Sequence, residues 1–476
     1  MNPKEEVIEK FRNMASRQHK PEWELPSNRE AYQMPAFHGD FYSVEFYPYA
    51  EPDEDPVFAI AGGKHPEEDY YTCVWTKDLE SGDPLLCVAG GNANIKIIDA
   101  LTGKLLRTLP GHGGEINDLV ISPVNPHILA SASVDATVRI WSLDPAHEQQ
   151  PCAAILEGDG HKESILTLAF HSNNRYLLSG GVDHTINLWT LPEFPDSNTG
   201  TNKPTRIHYP HFSTSEIHAD IVDCVNFHGD LILSKAANEH CIVLWSINNF
   251  NSTDPPPSPS MAPTTHDAQR DTRSAFTPST SSVNMQNQFH YTRLLQFGIP
   301  DSQIIFMRFA LYPGSETLNT NPILSFCNTQ ARVFFWDLAR LGTYRDFTCS
   351  DFDFKDASNR PSFLNPFQHR NRGGGGAVAR LAREKENSPT ESSSSHMTGS
   401  DSAGADKGRI DWDRSIKGWM KKYDMGNPLV CVDAHKEEVV KGLGFMGREL
   451  AWSKDGSWCV VVGSAGVFAL LHRWGR

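Results

Sequence analysis

GHGGEINDLVISPVNPHILASASVDATVRIW, residues Gly111 to Trp141, decides how the rest of the chain is read. It opens on Gly-His, crosses two alternating apolar runs separated by Pro-Val-Asn-Pro, passes Asp135 and closes on Trp141. A His, a Ser and an Asp so close together suit either of two roles. They could form a catalytic set, or they could be the polar frame of a sheet. The two readings separate on one point: a structural frame should recur along the chain, whereas a catalytic set need not.

The stretch does recur. GHKESILTLAFHSNNRYLLSGGVDHTINLW spans Gly160 to Trp189, and IHADIVDCVNFHGDLILSKAANEHCIVLW spans Ile217 to Trp245. The His-to-Trp separations are 29 (His112 to Trp141), 28 (His161 to Trp189) and 27 (His218 to Trp245) residues, and Asp135, Asp183 and Glu239 each precede the Trp by six. A fourth copy ends at Trp336 with Gln330 in the acidic position. A degenerate copy precedes them all, with Ile98 where the Trp belongs, and a longer final copy ends at Trp474. Alternating apolar runs broken by turn residues (PVNP, SNNR, SVDA, GVDH) indicate short antiparallel strands. The pattern resembles the WD40 repeat, with its period of about 40–45 residues and a four-stranded blade per unit. One blade cannot bury both faces of its sheet, so blades must stack around an axis and close. With Phe41 to Gly63 counted as a first blade, the expectation is an all-β, seven-bladed propeller over residues 36–476, in which the first and last segments share a blade.

In this frame His112, Asp135 and Trp141, with Ser131 or Ser133, form one buried hydrogen-bonded set, and His161, Ser179, Asp183 and Trp189 form the next. His218, Trp245 and Trp336 continue it. The polar leader 1–35 is expected to be flexible. Residues 251–290, rich in Pro, Ser and Thr, and 351–409, with four consecutive glycines, are expected to be disordered insertions. The glycines lack the Lys-Ser/Thr that completes a phosphate loop.

Bulk properties narrow the function. The 476 residues carry a net charge of −15, which disfavours binding a phosphate backbone and favours a basic partner such as a histone tail. No run approaches the roughly 20 apolar residues that cross a bilayer, so neither nucleic acid nor membrane is expected as a direct partner. Nine scattered cysteines without C-x2-C pairs point to free thiols in a reducing compartment rather than to a zinc site. No metal-ligating, nucleophile-elbow or dinucleotide motif is present, so neither an enzyme nor a cofactor is expected.

Particular strings narrow the propeller type. YYTCVWT, PLLCVAGG, EGDGHKESILTLAF, SGGVDHTINLW and MRFALYP resemble the EED/extra sex combs family of Polycomb proteins. The most specific is HYPHFSTSEIHADIVDCV followed by GDLILSK. The resemblance covers about 36–250, 291–345 and 430–476. It implies a nuclear, non-catalytic subunit of Polycomb repressive complex 2 acting in transcriptional repression. The implied partners are a SET-domain histone methyltransferase of the enhancer-of-zeste type, a Polycomb zinc-finger subunit and the histone H3 tail. A generic WD40 adaptor, such as a ubiquitin-ligase substrate receptor, shares the repeat but not these strings.

The resemblance also implies an aromatic cage for trimethyl-lysine. A trimethylammonium has no N–H to donate, so its recognition rests on cation–π attraction and desolvated packing. Tyr42 and Tyr71 match two cage aromatics, and Phe306 keeps aromaticity at a third. Ile305 stands where the family has Trp, which predicts a weaker reader by about 0.5–2 kcal/mol. Residues 42, 71 and 305 are expected on the same rung of their inner strands, brought together near one mouth of the channel by ring closure. Arg308 and Arg448 match family arginines that help hold the peptide.

Overall fold

The computed structural model describes residues 25–34, 39–51, 54–63, 68–264, 271–277, 290–343, 411–423, 425–441 and 444–473. The chain divides into two compact units, 1–342 with 425–476 and 343–424. The second contributes one described helix, Trp412–Lys422, whose Asp411 side chain accepts the Arg414 N–H and so caps a donor with no intrahelical partner.

The first unit is an all-β propeller, and one blade shows why the sequence folds this way. Strands Ile116–Ile121, Ile128–Ser133, Val138–Ser142 and Cys152–Leu156 pair antiparallel in chain order. At the first turn the Ser122 hydroxyl accepts the N–H of Asn125, a local bond that competes with strand continuation. At the second, the Ser133 hydroxyl accepts the N–H of Asp135, and Ala136 takes a left-handed φ of 60°. His184 and Ala331 repeat that conformation one residue after Asp183 and Gln330. The turn chemistry is therefore part of the repeat.

The core lies in the seams between blades. Trp141 packs with Val74, Cys87 and Ile97 of the preceding blade, Trp189 with Ile128 and Ile140, and Trp245 with Tyr176 and Phe212. All three indoles are at most 1% exposed. Each seam therefore depends on two blades at once, as a stacked repeat requires.

Among the described residues six sheets have four or five strands, and a two-stranded hairpin, Phe41–Phe46 with Phe58–Gly62, occupies the remaining wedge. The expectation of seven blades is thus corrected to six complete blades. The chain passes from Gly62 to the next inner strand at Tyr70, and so few residues cannot supply two further strands. The hairpin packs through Phe41, Val44 and Phe46 on Val460 and Val462 of the last blade.

Closure joins the two ends, as expected. Strand Ser27–Gln33 runs antiparallel to Val467–His472 as the outermost strand of the last sheet. This corrects the leader boundary, because residues 27–33 are a structural strand; residues 1–24 and 35–38 lie outside the described residues, as does Trp474. The Lys436 ammonium fastens the strand by donating to the Leu25 carbonyl (3.0 Å) and the Ser27 hydroxyl (2.6 Å).

The first insertion is also corrected in part. It leaves and re-enters between strands of one blade, but Thr272–Ser274 pairs with Phe212–Thr214 of the neighbouring sheet as its fifth strand. Arg273 reaches further, donating to the Asp159 carbonyl at 2.7 Å. Composition favours disorder in such a segment, yet a short strand with a free edge to pair with is ordered by its partner. Residues 265–270 and 278–289, and all of the second insertion at 351–409, lie outside the described residues.

Candidate functional site

The recurring polar sets are structural in three blades. His112 Nδ1 donates to Asp135 Oδ2 (2.9 Å), and the Ser131 hydroxyl donates to His112 Nε2 (2.7 Å) while accepting the Trp141 indole N–H (2.8 Å). His161, Asp183, Ser179 and Trp189 repeat this with 3.0, 2.7 and 2.9 Å. His218, Glu239, Ser234 and Trp245 do so with 2.6, 2.7 and 3.0 Å. Ser133 is not the hub; it bonds the Gly114 carbonyl instead. Burial lowers the His112 pKa and keeps it neutral, as a ring that donates at one nitrogen and accepts at the other must be. Burial alone would raise Asp135, but the bonds from His112, Gly113 and Thr137 outweigh it and hold it well below the usual carboxylate range.

Trp336 departs from this expectation. Its indole donates to the Val432 carbonyl at 3.1 Å, and Phe326 occupies the register that Ser131, Ser179 and Ser234 hold elsewhere. Without a serine there is no hub for a histidine to join.

The inner strands reveal a feature that the sequence pattern hid. Six of them carry a β-bulge one residue in from the same end, and the skipped residues are Tyr42, Tyr71, Asn117, Leu166, Asp223 and Arg448. A bulged residue leaves the ladder, and its side chain is re-aimed. The neighbouring strand positions form a second ring of side-chain links. Ser43 accepts from Cys73 N–H (3.4 Å), Thr72 from Leu119 (3.1 Å), Asp118 from Leu168 (2.7 Å), Thr167 from Val225 (3.2 Å) and Glu449 from Val44 (2.9 Å). Inner strands of adjacent blades do not pair, so these links satisfy backbone groups that would otherwise be orphaned.

They surround a channel of about 550 Å3 that also contains Glu45 and Arg308. Arg308 spans it, donating to Asp118 Oδ1 (2.7 Å) and to the carbonyls of Asn117 (3.1 Å) and Leu166 (2.9 Å). Its guanidinium is thus committed inside the ring rather than presented at the surface.

At the bulge level the mouth is asymmetric. Asn117, Leu166 and Asp223 are buried, Asn117 on the Ile165 carbonyl (2.8 Å) and Asp223 on Lys235 (2.9 Å). Tyr42, Tyr71 and Arg448 make up the other half. The tyrosine rings stand at 82° with centroids 5.7 Å apart, forming an aromatic corner. Burial, then nearby carboxylates, raise both phenols, Tyr71 to about 12, so both rings are neutral near pH 7. The Arg448 guanidinium sits 5.6 Å from the Tyr42 centroid and donates to the Ile305 carbonyl and to Asp40 Oδ2, both at 3.0 Å.

Ile305 is not on the inner-strand rung expected for it, and Phe306 follows it. They lie in a bend that precedes the strand Ala310–Tyr312. Phe306 has a left-handed φ of 60°, a costly conformation for a bulky side chain that is held by its surroundings. The structure thus joins Tyr42, Tyr71, Arg448 and the Ile305 backbone directly, and places Arg308 elsewhere. Among the described residues no His/Cys/Asp/Glu cluster has the geometry of a metal site.

Comparison with known proteins agrees with this architecture. The family described as WD domain, G-beta repeat matches residues 103–142 and 151–190. The chain is 38% identical to Polycomb protein EED of Chaetomium thermophilum over 96% of its own length and 97% of that protein. It is 28% identical to Polycomb protein esc of Drosophila melanogaster over 66% of this chain and 74% of that one. Among solved structures, an active Polycomb repressive complex 2 in the basal state contains a chain that is 38% identical, with a TM-score of 0.79 over 95% of this chain and 98% of that one. A second such complex, solved with trimethylated histone H3, matches at 37% identity and a TM-score of 0.78, covering 96% of this chain and 99% of that one.

Proposed function

Because this chain belongs to the EED family of Polycomb WD40 proteins, we propose that it is a non-catalytic scaffold and histone-reading subunit of a Polycomb repressive complex 2. In this role it binds a SET-domain histone methyltransferase together with a Polycomb zinc-finger subunit, and works in the nucleus in transcriptional repression. The observation that carries the reading half is the Tyr42–Tyr71 corner, set at one open side of the channel mouth by two successive bulges. Two perpendicular π faces partly shielded from water suit a methylated ammonium, which needs no hydrogen-bond acceptor. Phe306 supplies the third aromatic wall, and Ile305 an apolar one where a Trp would bind more strongly. Arg448 is the arginine that faces the incoming peptide, because Arg308 is engaged by Asp118 and two carbonyls.

Fluorescence titration of the protein with a trimethyl-lysine histone H3 peptide and with its unmethylated twin tests the reading. The methylated peptide is expected to bind at least several-fold more tightly, and equal affinities would contradict it. For the scaffolding half, affinity purification should recover a SET-domain methyltransferase. Recovery of a cullin instead would favour the adaptor reading.

A further inference from the structure

The cation that faces Tyr42 in the free protein is the protein's own. Arg448 is the bulged residue of its inner strand, next in the ring to Tyr42, so its side chain is re-aimed to the same part of the mouth. Its guanidinium lies in cation–π range of the Tyr42 ring, at 5.6 Å. Two tethers hold it there, the Ile305 carbonyl and Asp40. Asp40 itself is fixed, since its other carboxylate oxygen accepts the Ala465 N–H (3.2 Å) and its carbonyl accepts the Gly63 N–H (2.8 Å). The docked position is incompletely satisfied, because Arg448 Nε is buried without a hydrogen-bond partner. An orphaned N–H disfavours the state that contains it, so the guanidinium is held in a place that it can leave.

We propose that Arg448 is an internal competitor for the aromatic corner: it occupies the Tyr42 face in the free protein and is displaced when a methylated ammonium binds. The inference rests on the methyl-lysine reading above and deepens it. It assigns Arg448 a gating role opposite in sign to that of a simple peptide contact. Two cations cannot share one ring face without like-charge repulsion, and once the guanidinium moves off, Asp40 is left beside the bound ammonium to compensate its charge. Discrimination then depends on a ligand that is cationic enough to replace the guanidinium and apolar enough to fill the corner. A trimethylammonium meets both conditions, whereas a neutral side chain meets only the second.

Calorimetric titration of the full chain with the trimethylated and unmethylated H3 peptides, for the wild type and Arg448→Met, tests this. Met keeps length and apolar contact while removing the charge. The variant is expected to bind the trimethylated peptide about threefold to tenfold more tightly than the wild type. Unchanged or weaker binding by a variant that unfolds at the wild-type temperature would overturn the gate and leave the methyl-lysine reading intact. A wild type that does not distinguish the two peptides would remove the reading, and the gate with it. Arginine Nε–H NMR signals of the wild-type protein give a readout independent of any variant. One guanidinium signal should move at saturation with the trimethylated peptide, and spectra unchanged at saturation would overturn the proposal.

Discussion

Asn117, Leu166 and Asp223 occupy the same bulge as Tyr42, Tyr71 and Arg448, yet one half of the mouth is closed and the other is open. The same division appears in the seams. The three blades with a complete His–Ser–Trp set, built on Ser131, Ser179 and Ser234, are those whose bulged residue is buried. Among the described residues, the wedges that present Tyr42, Tyr71 and Arg448 show no such set; the second has Ile98 where the Trp would stand. A repeating backbone therefore carries two programmes. One half devotes its polar groups to satisfying one another and holding the ring. The other sets two tyrosine rings and a tethered arginine at the same geometric level. Local rules of stability are relaxed at the proposed binding site, and the regular blades sustain the fold around it.

The largest effect should come from breaking the closed half. Lys235→Met leaves Asp223 buried and uncompensated, since both side chains of that pair are fully buried. A stability loss of about 3–5 kcal/mol is expected in urea denaturation. A loss below about 1 kcal/mol would show that the pair does not hold this half together. Ser179→Ala comes next. It removes the hub between His161 and Trp189 and leaves a buried indole N–H and an imidazole nitrogen unsatisfied, for about 1–3 kcal/mol. Its affinity for a methylated peptide should match that of the wild type, because Ser179 lies in a seam.

Tyr71→Ala should do the reverse. Binding of the trimethylated peptide should weaken by about 1–2 kcal/mol while thermal unfolding changes little, because the ring is part of the open half. Parallel losses in binding and stability would erase the division between the halves.

The smallest effect is a pH dependence that accumulates as pH rises from the ordinary carboxylate range to about 8. Burial raises the Glu45 carboxyl to about 8; the Trp75 N–H lowers it, and Glu449 and Asp118 raise it further. A carboxyl raised on folding contributes stability that is full below its ordinary range and is lost as pH climbs through about 8. Glu45→Gln, which can still accept the Trp75 N–H, should leave stability at pH 5 nearly unchanged and raise Tm by a few degrees at pH 9. An identical pH profile for the two proteins would show that Glu45 does not titrate this way.

Much of the fold was legible in the sequence because the repeat is written in local chemistry. His-to-Trp spacing, the acidic residue six before the Trp and the turn residues together yielded three of the buried sets and the closure of first segment on last. What was missed depends on distant partners. Phe41 to Gly63 looks like the start of a blade, and only the pairing shows that it stops at two strands. Nothing in the composition around Thr272 signals the free strand edge that orders it. The candidate site was legible in part. Tyr42 and Tyr71 do meet, but the bulges that aim them are a property of strand register, which a one-strand pattern does not carry. Ile305 was placed on a strand because IFMRF was aligned with YSVEF and YTCVW, whereas the strand begins only at Ala310. Arg308 was expected as a peptide contact because it matches a family arginine, whereas Asp118 and two carbonyls hold its guanidinium in the channel wall.

The central claim is that an aromatic corner at this mouth recognises a methylated cation by its charge as well as its shape. The most direct measurement is a calorimetric titration with two H3 peptides that differ in one atom of one side chain, trimethyl-lysine and its neutral carbon isostere. On this claim the cationic peptide binds several-fold more tightly, and Tyr71→Ala abolishes the difference. Equal affinity for the two, or a difference that survives in Tyr71→Ala, would contradict it.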